Sequence, residues 1–410
     1  MPDMSLHEWL NLALRWVHLI AGIAWIGSSF YFIWLDQHLE RVFARPGEPA
    51  ADPDLEGSLW MVHSGGFYRV ERRRIGPGRV PATLHWFKWE AAITWLSGAA
   101  LLGVIYYSTR GLYLVDPAVS ALAPRAAMLF GIGILVGGWF VYDALWTWAE
   151  EHRRAVATAI SLALLVGVVF VLTRTLSGRA AYVHVGALLG SIMVANVWAR
   201  ILPAQGAMIR ATEQGHTPDW SNAEKAKLRS VHNSYMTFPV LVLMTSSHFP
   251  GTYGAPQRDL VLLLLIALGM GARHLMIGHG RGRFAWGVPM AAAAVALAFL
   301  TAPTRLEGRV DEATRSALAG EGTAPTFAEV QAVVLSRCVA CHAAAPRIVS
   351  FGAAPGGVNL ERGDQIVRWS GRIRERVVTT QTMPLGNMTG MTAEERLLIA
   401  RWIGHGARER

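Results

Sequence analysis

The sequence predicts an all-α protein in which a polytopic bundle of eight transmembrane helices is followed by a small α-helical domain. Three observations predict this fold. Apolar residues make up 52% of the 410 residues and charged residues only 16%, which is little charge for a soluble protein. Apolar stretches of roughly 20 residues, the length that crosses a hydrocarbon core, recur along residues 1–302. Residues 325–410 instead carry helix-start patterns and both cysteines.

The eight predicted spans are joined by polar loops, and a hydrophilic linker, residues 303–324, follows the last one. The spans cover residues 10–35, 87–108, 126–148, 155–173, 181–199, 231–248, 259–279 and 284–302. Histidines open matching spans: His18 and His184 in the first and fifth, His85 and His232 in the second and sixth. This pattern suggests two four-helix halves related by an axis along the membrane normal.

The basic residues indicate the orientation of the bundle. Lys and Arg concentrate in the loops after the first, third, fifth and seventh spans, and the positive-inside rule places those loops in the cytoplasm. Both termini then lie outside. The same loops account for the formal charge of +9, so we expect no nucleic-acid partner. No cleavable signal peptide is expected, because the first apolar stretch is too long and lacks a small-residue cleavage site.

One motif uses both cysteines, Cys338-Val339-Ala340-Cys341-His342. C-x-x-C-H is the attachment site of a c-type haem, in which each thiol adds to a vinyl group and the histidine ligates the iron. A half zinc site is the first alternative, but zinc needs about four ligands and no second Cys or His pair follows. A redox pair is the second, and it would not need His342. The motif therefore predicts one covalent haem c.

A second axial ligand for this haem is expected further along the chain. Methionine is a common sixth ligand in electron carriers and raises the reduction potential. Met383 stands in a Met-Pro context that favours it, and Met388 and Met391 are its rivals.

Two capping boxes frame the same region. Thr326 and Glu329 predict the start of a helix that runs into the cysteines, and Thr392 and Glu395 predict the start of the last helix. Residues 325–410 are therefore similar to a class I cytochrome c domain. Haem c is attached outside the cytoplasm in bacteria, in agreement with the charge pattern. The expected location is a bacterial inner membrane, with the N-terminus and the cytochrome on the periplasmic side.

Polar residues inside the spans are the candidates for a substrate site, since such residues are costly in a bilayer. The predicted topology places them in two layers. His18 and His184 form the outer layer; the inner layer holds His85, Lys88, Glu90, Asp143, Asn196, Arg200, His232, Asn233, Thr237, Arg273 and His274. The alternative is that the cations snorkel to the interface and the histidines are ordinary interfacial residues.

The outer histidines have two interpretations. Two imidazoles on facing helices can ligate a haem b, and Trp16-Val17-His18 through Trp25-Ile26-Gly27 resembles the first span of small haem- and copper-associated membrane proteins. The other interpretation, which we favour, is a pair of helix-packing histidines bonded to backbone or to each other.

The whole chain resembles the bacterial integral-membrane cytochrome c urate oxidases (urate hydroxylases). The resemblance lies in the segments Trp16–Gly27, His85–Glu90, Val231–Pro239 and Ser247–Pro250, and in the C-terminal cytochrome. It implies oxidation of urate to 5-hydroxyisourate, with electrons leaving through the haem to a respiratory acceptor such as a soluble cytochrome c or a terminal oxidase.

Urate is a planar monoanion, so its site needs a cation, amide donors and an aromatic platform. The inner layer offers Lys88, Asn196, Arg200, Asn233, Thr237 and Arg273 for binding, with Trp86, Trp89 or Tyr235 for stacking. Hydroxylation by water needs a general base. The candidates for that base are Glu90, Asp143, His85 and His232.

Electron counting leaves one question open. Urate gives up two electrons, and one haem c accepts one. A substrate site in the inner layer would also be separated from an outer haem by the hydrocarbon core, which is roughly 30 Å thick. Either the substrate site lies nearer the outer face, or a second redox cofactor such as haem b on His18 and His184 lies between.

Three other functions are considered for the chain. The competing class is a quinone- or partner-linked electron-transfer module without urate chemistry. A membrane haem chaperone or porphyrinogen oxidase is a further alternative. A transporter fits less well, because no pair of Gly/Pro-broken helices is evident.

Overall fold

The computed structural model describes residues 6–41, 52, 54–109, 111–149, 153–277, 285–302, 310–348 and 353–409. The chain divides into two compact units. One comprises residues 1–16, 97–191 and 236–410, and the other comprises residues 17–96 and 192–235. Several helices begin in one unit and continue in the other.

Long helices dominate residues 6–302. They are α1 Leu6–His38, α2 Trp89–Leu102, α3 Pro124–Trp148, α4 Arg154–Thr175, α5 Gly178–Asn196, α6 Leu202–Glu213, α7 Trp220–Thr245, α8 Pro250–Tyr253, α9 Arg258–Ile277 and α10 Gly287–Thr301. Two π-helical turns extend them, Gly103–Tyr107 after α2 and Val197–Ile201 after α5, and a 3₁₀ turn, Ser246–His248, follows α7.

Among the described residues, six helices are long and apolar enough to cross a membrane by length and composition. They are Leu6–His38, Trp89–Tyr107, Pro124–Trp148, Arg154–Thr175, Gly178–Glu213 and Arg258–Ile277. These six correspond to the first five predicted spans and the seventh. The last two residues of the seventh span, 278–279, lie outside the described residues. The eighth prediction falls on the shorter apolar helix α10, apart from residue 284, which is not described. Helix α7 covers the sixth prediction but begins at Trp220 and is less apolar. A mainly helical fold with several apolar helices is confirmed, and the full set of eight spans stays a prediction.

The larger unit has a well-packed core in its bundle part. Buried side chains from the ends of α2, α3, α4, α5, α7 and α9 meet in one cluster that includes Leu172, Tyr182 and Leu262. Glycines let these helices approach closely, because a side chain at Gly138 would collide with Leu188. Small residues at helix contacts serve this purpose in membrane bundles.

The C-terminal residues form a separate group of short helices. These are α11 Glu312–Leu318, α12 Phe327–Arg337, α13 Gly363–Arg368, α14 Ser370–Ile373 and α15 Ala393–Gly404, with a π-helical turn at Arg374–Thr379 and 3₁₀ turns at Pro355–Gly357 and Leu385–Asn387. They share a hydrophobic core that contains Val330, Ile366 and Trp402. We call residues 310–409 the C-terminal segment.

The predicted linker 303–324 is wrong in its second half. Residues 303–309 lie outside the described residues, but α11 forms directly after them. Asp311 is its N-cap and accepts a hydrogen bond from the Thr314 amide at 2.6 Å. Ala317 packs in the core of the C-terminal segment. Residues 312–318 therefore form an amphipathic helix and not a linker.

The purely α-helical fold class is also wrong in one region. A three-stranded antiparallel sheet, β1 Glu40–Arg41, β2 Leu55–His63 and β3 Gly66–Arg73, lies between α1 and α2. Ser64 and Gly65 join β2 to β3 with φ values of 50° and 76°. Two successive residues at positive φ give the turn whose twist matches paired strands.

Both predicted capping boxes are confirmed. At the start of α12 the Thr326 amide donates to Glu329 Oε2 at 2.8 Å and the Glu329 amide donates to Thr326 Oγ1 at 3.4 Å. Thr392 and Glu395 repeat the arrangement at α15. Such a reciprocal pair satisfies backbone donors that a helix start leaves unpaired.

Replacing Thr326 with alanine should loosen the helix that leads into the C-x-x-C-H motif. Loss of a threonine cap costs about 1 kcal/mol, so amides of the first turn of α12 should exchange about fivefold faster with deuterium. Thr323→Ala, in the exposed stretch just before the helix, is the matched control and should exchange as wild type. Equal exchange in the two variants would contradict the capping role.

Candidate functional site

The C-x-x-C-H motif forms a single turn at the end of α12. The Cys341 and His342 amides donate to the Cys338 carbonyl at 3.1 and 2.9 Å. Among the described residues no three His, Cys, Asp or Glu side chains converge as a metal-ion site. The three side chains of the motif therefore do not share a point, as a zinc site would require.

The geometry of His342 fits an axial ligand. Its Nδ1 donates to the Val358 carbonyl at 2.9 Å, the type of bond that fixes the ring of a metal-binding histidine and leaves Nε2 for the metal. Burial lowers the pKa of His342, which favours the neutral imidazole that ligates iron. Burial also raises the pKa of the Cys338 thiol to about 12 and raises that of Cys341. A haem c fits the residues at this site.

Of the three candidate methionines, Met383 and Met391 belong to the core of the C-terminal segment, and the choice of Met383 as ligand stays a prediction. Met383 packs against the same core as Cys338, and its carbonyl accepts a hydrogen bond from Arg396 Nη1 at 2.8 Å. Met391 is buried within that core, whereas Met388 is 52% exposed.

The smaller unit brings two predicted amides together. Asn196 Nδ2 donates to Asn233 Oδ1 at 2.9 Å, and Asn233 Nδ2 donates to the Met193 carbonyl at 2.9 Å. Asn196 is fully buried and directly precedes the π-helical turn Val197–Ile201. π-Helical turns are frequent at functional sites.

The predicted cation and aromatic platform also meet in this unit. Lys88 Nζ lies 5.7 Å from the Trp86 ring centroid and 5.8 Å from that of Trp89. The Trp89 ring in turn contacts Trp198 edge to face at 5.6 Å. Beside them Glu90 Oε2 is buried and has no hydrogen-bond partner among the described residues. Lys88 therefore makes cation–π contacts with two indoles, and its role in binding an anion stays a prediction.

The remaining predicted residues are placed individually. Asp143 on α3, Thr237 on α7 and Arg273 on α9 are buried in the larger unit. In the smaller unit Arg200 and His232 are half-buried, and the exposed His85 contacts the Phe87 ring at 4.6 Å. Their catalytic and binding roles stay predictions.

The outer histidines bond to backbone, as the packing interpretation predicts. His18 Nδ1 bonds to the Thr94 carbonyl and His184 Nδ1 to the Ala180 carbonyl, both at 2.8 Å. His184 Nε2 accepts from the Tyr107 hydroxyl at 3.0 Å and packs tightly against Gly131. These bonds favour the packing interpretation, and a haem b on His18 and His184 stays a prediction that nothing in the structure supports.

Sequence reasoning missed several buried polar residues. Arg229 on α7 is 1% exposed. The predicted sixth span begins at residue 231, which leaves Arg229 in a loop. Arg179, Tyr106 and Tyr113 form a cluster that the sequence analysis also did not find. Adjacent tyrosines ahead of a turn and an arginine at a helix start were the available signals.

The chain thus defines a largely helical protein whose apolar helices are compatible with a membrane location. A family model described as Urate oxidase N-terminal matches residues 4–303. No curated protein matches the chain at a significant level, and no solved structure does. The match covers most of the chain, so the protein belongs to the Urate oxidase N-terminal family. Membership indicates a urate-related function, that of an oxidoreductase acting on urate.

Proposed function

We propose that the protein is a membrane-bound urate oxidase that converts urate to 5-hydroxyisourate and passes the electrons through a covalent haem c to the respiratory chain. One observation carries the proposal: the urate oxidase match over residues 4–303 continues, in the same chain, into a C-x-x-C-H turn whose histidine is oriented as a metal ligand.

The reaction balances without oxygen. Urate and one water give 5-hydroxyisourate, two protons and two electrons, so water supplies the new hydroxyl oxygen. A covalent haem c would supply a one-electron acceptor, so the two electrons of each urate have to leave the protein one at a time. The eventual acceptor is a respiratory partner such as a soluble cytochrome c or a terminal oxidase.

Residues of the C-terminal segment would hold this acceptor. Cys338 and Cys341 would bind it covalently, and His342 would ligate the iron through Nε2 because Val358 holds Nδ1. Met383, whose carbonyl accepts a hydrogen bond from Arg396, would supply a further ligand. A methionine ligand raises the potential, which suits an acceptor of electrons from an organic substrate.

The cellular arrangement follows from the charge pattern and the haem. Eight spans would cross a bacterial inner membrane, with the C-terminal cytochrome c domain on the periplasmic side where haem c is attached. Membrane lipid then surrounds residues 1–302. The six long apolar helices support this placement.

Purified full-length protein with added oxidised cytochrome c tests the proposal. Under anaerobic conditions we expect urate to disappear while two molecules of cytochrome c are reduced for each urate. Reduction by a quinol but not by urate would instead identify a quinone-linked electron-transfer module.

A further inference from the structure

A cation and two tyrosines cluster at the end of the bundle where the C-terminal segment packs. The Arg179 guanidinium lies 4.5 Å from the Tyr113 ring centroid and 5.9 Å from that of Tyr106. The two rings are 6.0 Å apart and meet edge to face. We call Arg179, Tyr106 and Tyr113 the arginine–tyrosine cluster. Arg15 lies close enough for its charge to act on all three.

Within the described residues, the positive charge of the cluster faces tyrosines and no carboxylate. The Nε of the half-buried Arg179 is itself buried and has no hydrogen-bond partner among those residues. The buried Tyr106 hydroxyl lies beside this guanidinium and has no other partner in the described part of the chain. Buried polar donors are almost always paired, and a cation withdrawn from water is stabilised by a counter-charge. Both groups indicate an anionic ligand.

The C-terminal segment touches the same end of the bundle through residues 382–386, the loop that contains Met383. A side chain at Gly386 would collide with the Val115 carbonyl, so this glycine, at φ 54°, allows close contact two residues from Tyr113. Gly254 likewise packs against Thr382, the neighbour of Met383. Arg376 Nη1 donates to the Tyr253 hydroxyl at 3.3 Å.

The electrostatics of Tyr113 agree with these contacts. Burial raises the pKa of Tyr113, the Arg179 guanidinium opposes this, and the Cys341 thiol contributes to the increase. The backbone contacts at Gly386 and Gly254 are what bring the C-terminal segment to this end of the bundle.

The backbone departs from a regular α-helix at the arginine–tyrosine cluster. Tyr106 and Tyr107 lie in the π-helical turn Gly103–Tyr107, and both rings contact His184, at 6.1 and 5.9 Å between centroids. Gly178 lacks a side chain where the Tyr253 carbonyl packs against it, which sets the position of Arg179 next to it.

We propose that the arginine–tyrosine cluster binds the planar substrate anion beside the haem c attachment site and is the point where its electrons leave the bundle. This site rests on the proposed function and gives it a location. Arg179 supplies the counter-charge and a planar surface, and the Tyr106 hydroxyl supplies a hydrogen bond. The phenol rings supply a stacking platform.

Two sources of an anion are available, the substrate and a propionate of a haem c, and the experiment below distinguishes them. The arrangement favours the substrate, because the guanidinium plane and the phenol rings suit a planar ring. The location also shortens the electron path. Glu90, in the predicted inner layer, stands at the opposite end of the helix Trp89–Tyr107 from Tyr106.

Urate binding to the full-length holoprotein tests the site directly. With the haem chemically reduced beforehand, urate is bound without turnover, and equilibrium dialysis gives its Kd. We expect Arg179→Leu to weaken urate binding by about tenfold or more, the range for losing a charged hydrogen bond, and to slow haem reduction by urate. Arg179→Lys should fall between. The matched control is Arg174→Leu, because Arg174 is an exposed arginine at the end of α4 whose counter-charge is Asp259.

The outcomes separate the site from the function. Unchanged urate affinity in Arg179→Leu overturns the site, and an accompanying fall in haem potential would assign Arg179 to a propionate. If urate affinity is retained in Arg179→Leu and lost in Glu90→Gln, the substrate site lies in the inner layer instead. A wild-type protein that neither binds urate nor is reduced by it overturns the proposed function itself. If Arg179→Leu does not accumulate with haem, Tyr113→Leu carries the same expectation.

Discussion

Replacing Cys338 and Cys341 together with alanine should abolish covalent haem and, with it, every transfer of electrons from urate to an acceptor. The chain has only these two cysteines, so no other residue can form a thioether. The haem-dependent peroxidase stain of the denatured chain should disappear, while urate binding to the bundle persists. Covalent haem in the double variant would contradict the attachment site.

His342→Ala separates ligation from attachment. We expect covalent haem to form through the cysteines but to lose the low-spin spectrum that two strong axial ligands produce. His405→Ala is the matched control, because His405 Nδ1 also bonds to a backbone carbonyl, that of Arg401, at 2.8 Å. An unaltered spectrum in His342→Ala would remove this residue from the iron.

Replacing Met383 with histidine should lower the haem midpoint potential. Methionine stabilises the reduced iron more than imidazole does, and axial ligands set potentials over a range of ~0.8 V. We expect a fall on the order of 100 mV or more, measured by spectroelectrochemical titration of the full-length protein. Urate should then reduce the haem more slowly, because the acceptor is a weaker oxidant.

The same substitution at Met388 is the control. Met388 is 52% exposed, outside the core that holds Met383, so Met388→His should leave the potential unchanged. A shift in Met388→His and none in Met383→His would exchange the two assignments.

Features that depend only on residues close together in the sequence could be predicted. The capping boxes at Thr326 and Thr392 involve residues three positions apart, so each could be identified without knowing the fold. The apolar spans depend only on composition within about 20 residues. Both capping boxes are confirmed, and six of the predicted spans coincide with long apolar helices among the described residues, while the full set of eight stays a prediction.

Features that depend on distant partners could not be predicted. Arg179 meets Tyr106 and Tyr113 through tertiary packing, and its sequence neighbours give no sign of either ring. The sheet between α1 and α2 was missed because β3 is rich in arginine and the pairing of β2 with β3 depends on the Ser64–Gly65 turn. The hydrogen bond between the Tyr107 hydroxyl and His184 Nε2 likewise joins residues 77 positions apart, which no local pattern predicts.

Anaerobic mixing of urate with the oxidised full-length holoprotein is the most direct test of the central claim. We predict that urate alone reduces the haem c, and that half an equivalent of urate is enough to reduce one equivalent of haem, since each urate gives two electrons. An oxidised haem spectrum that urate leaves unchanged, in protein that a chemical reductant reduces normally, would contradict the account.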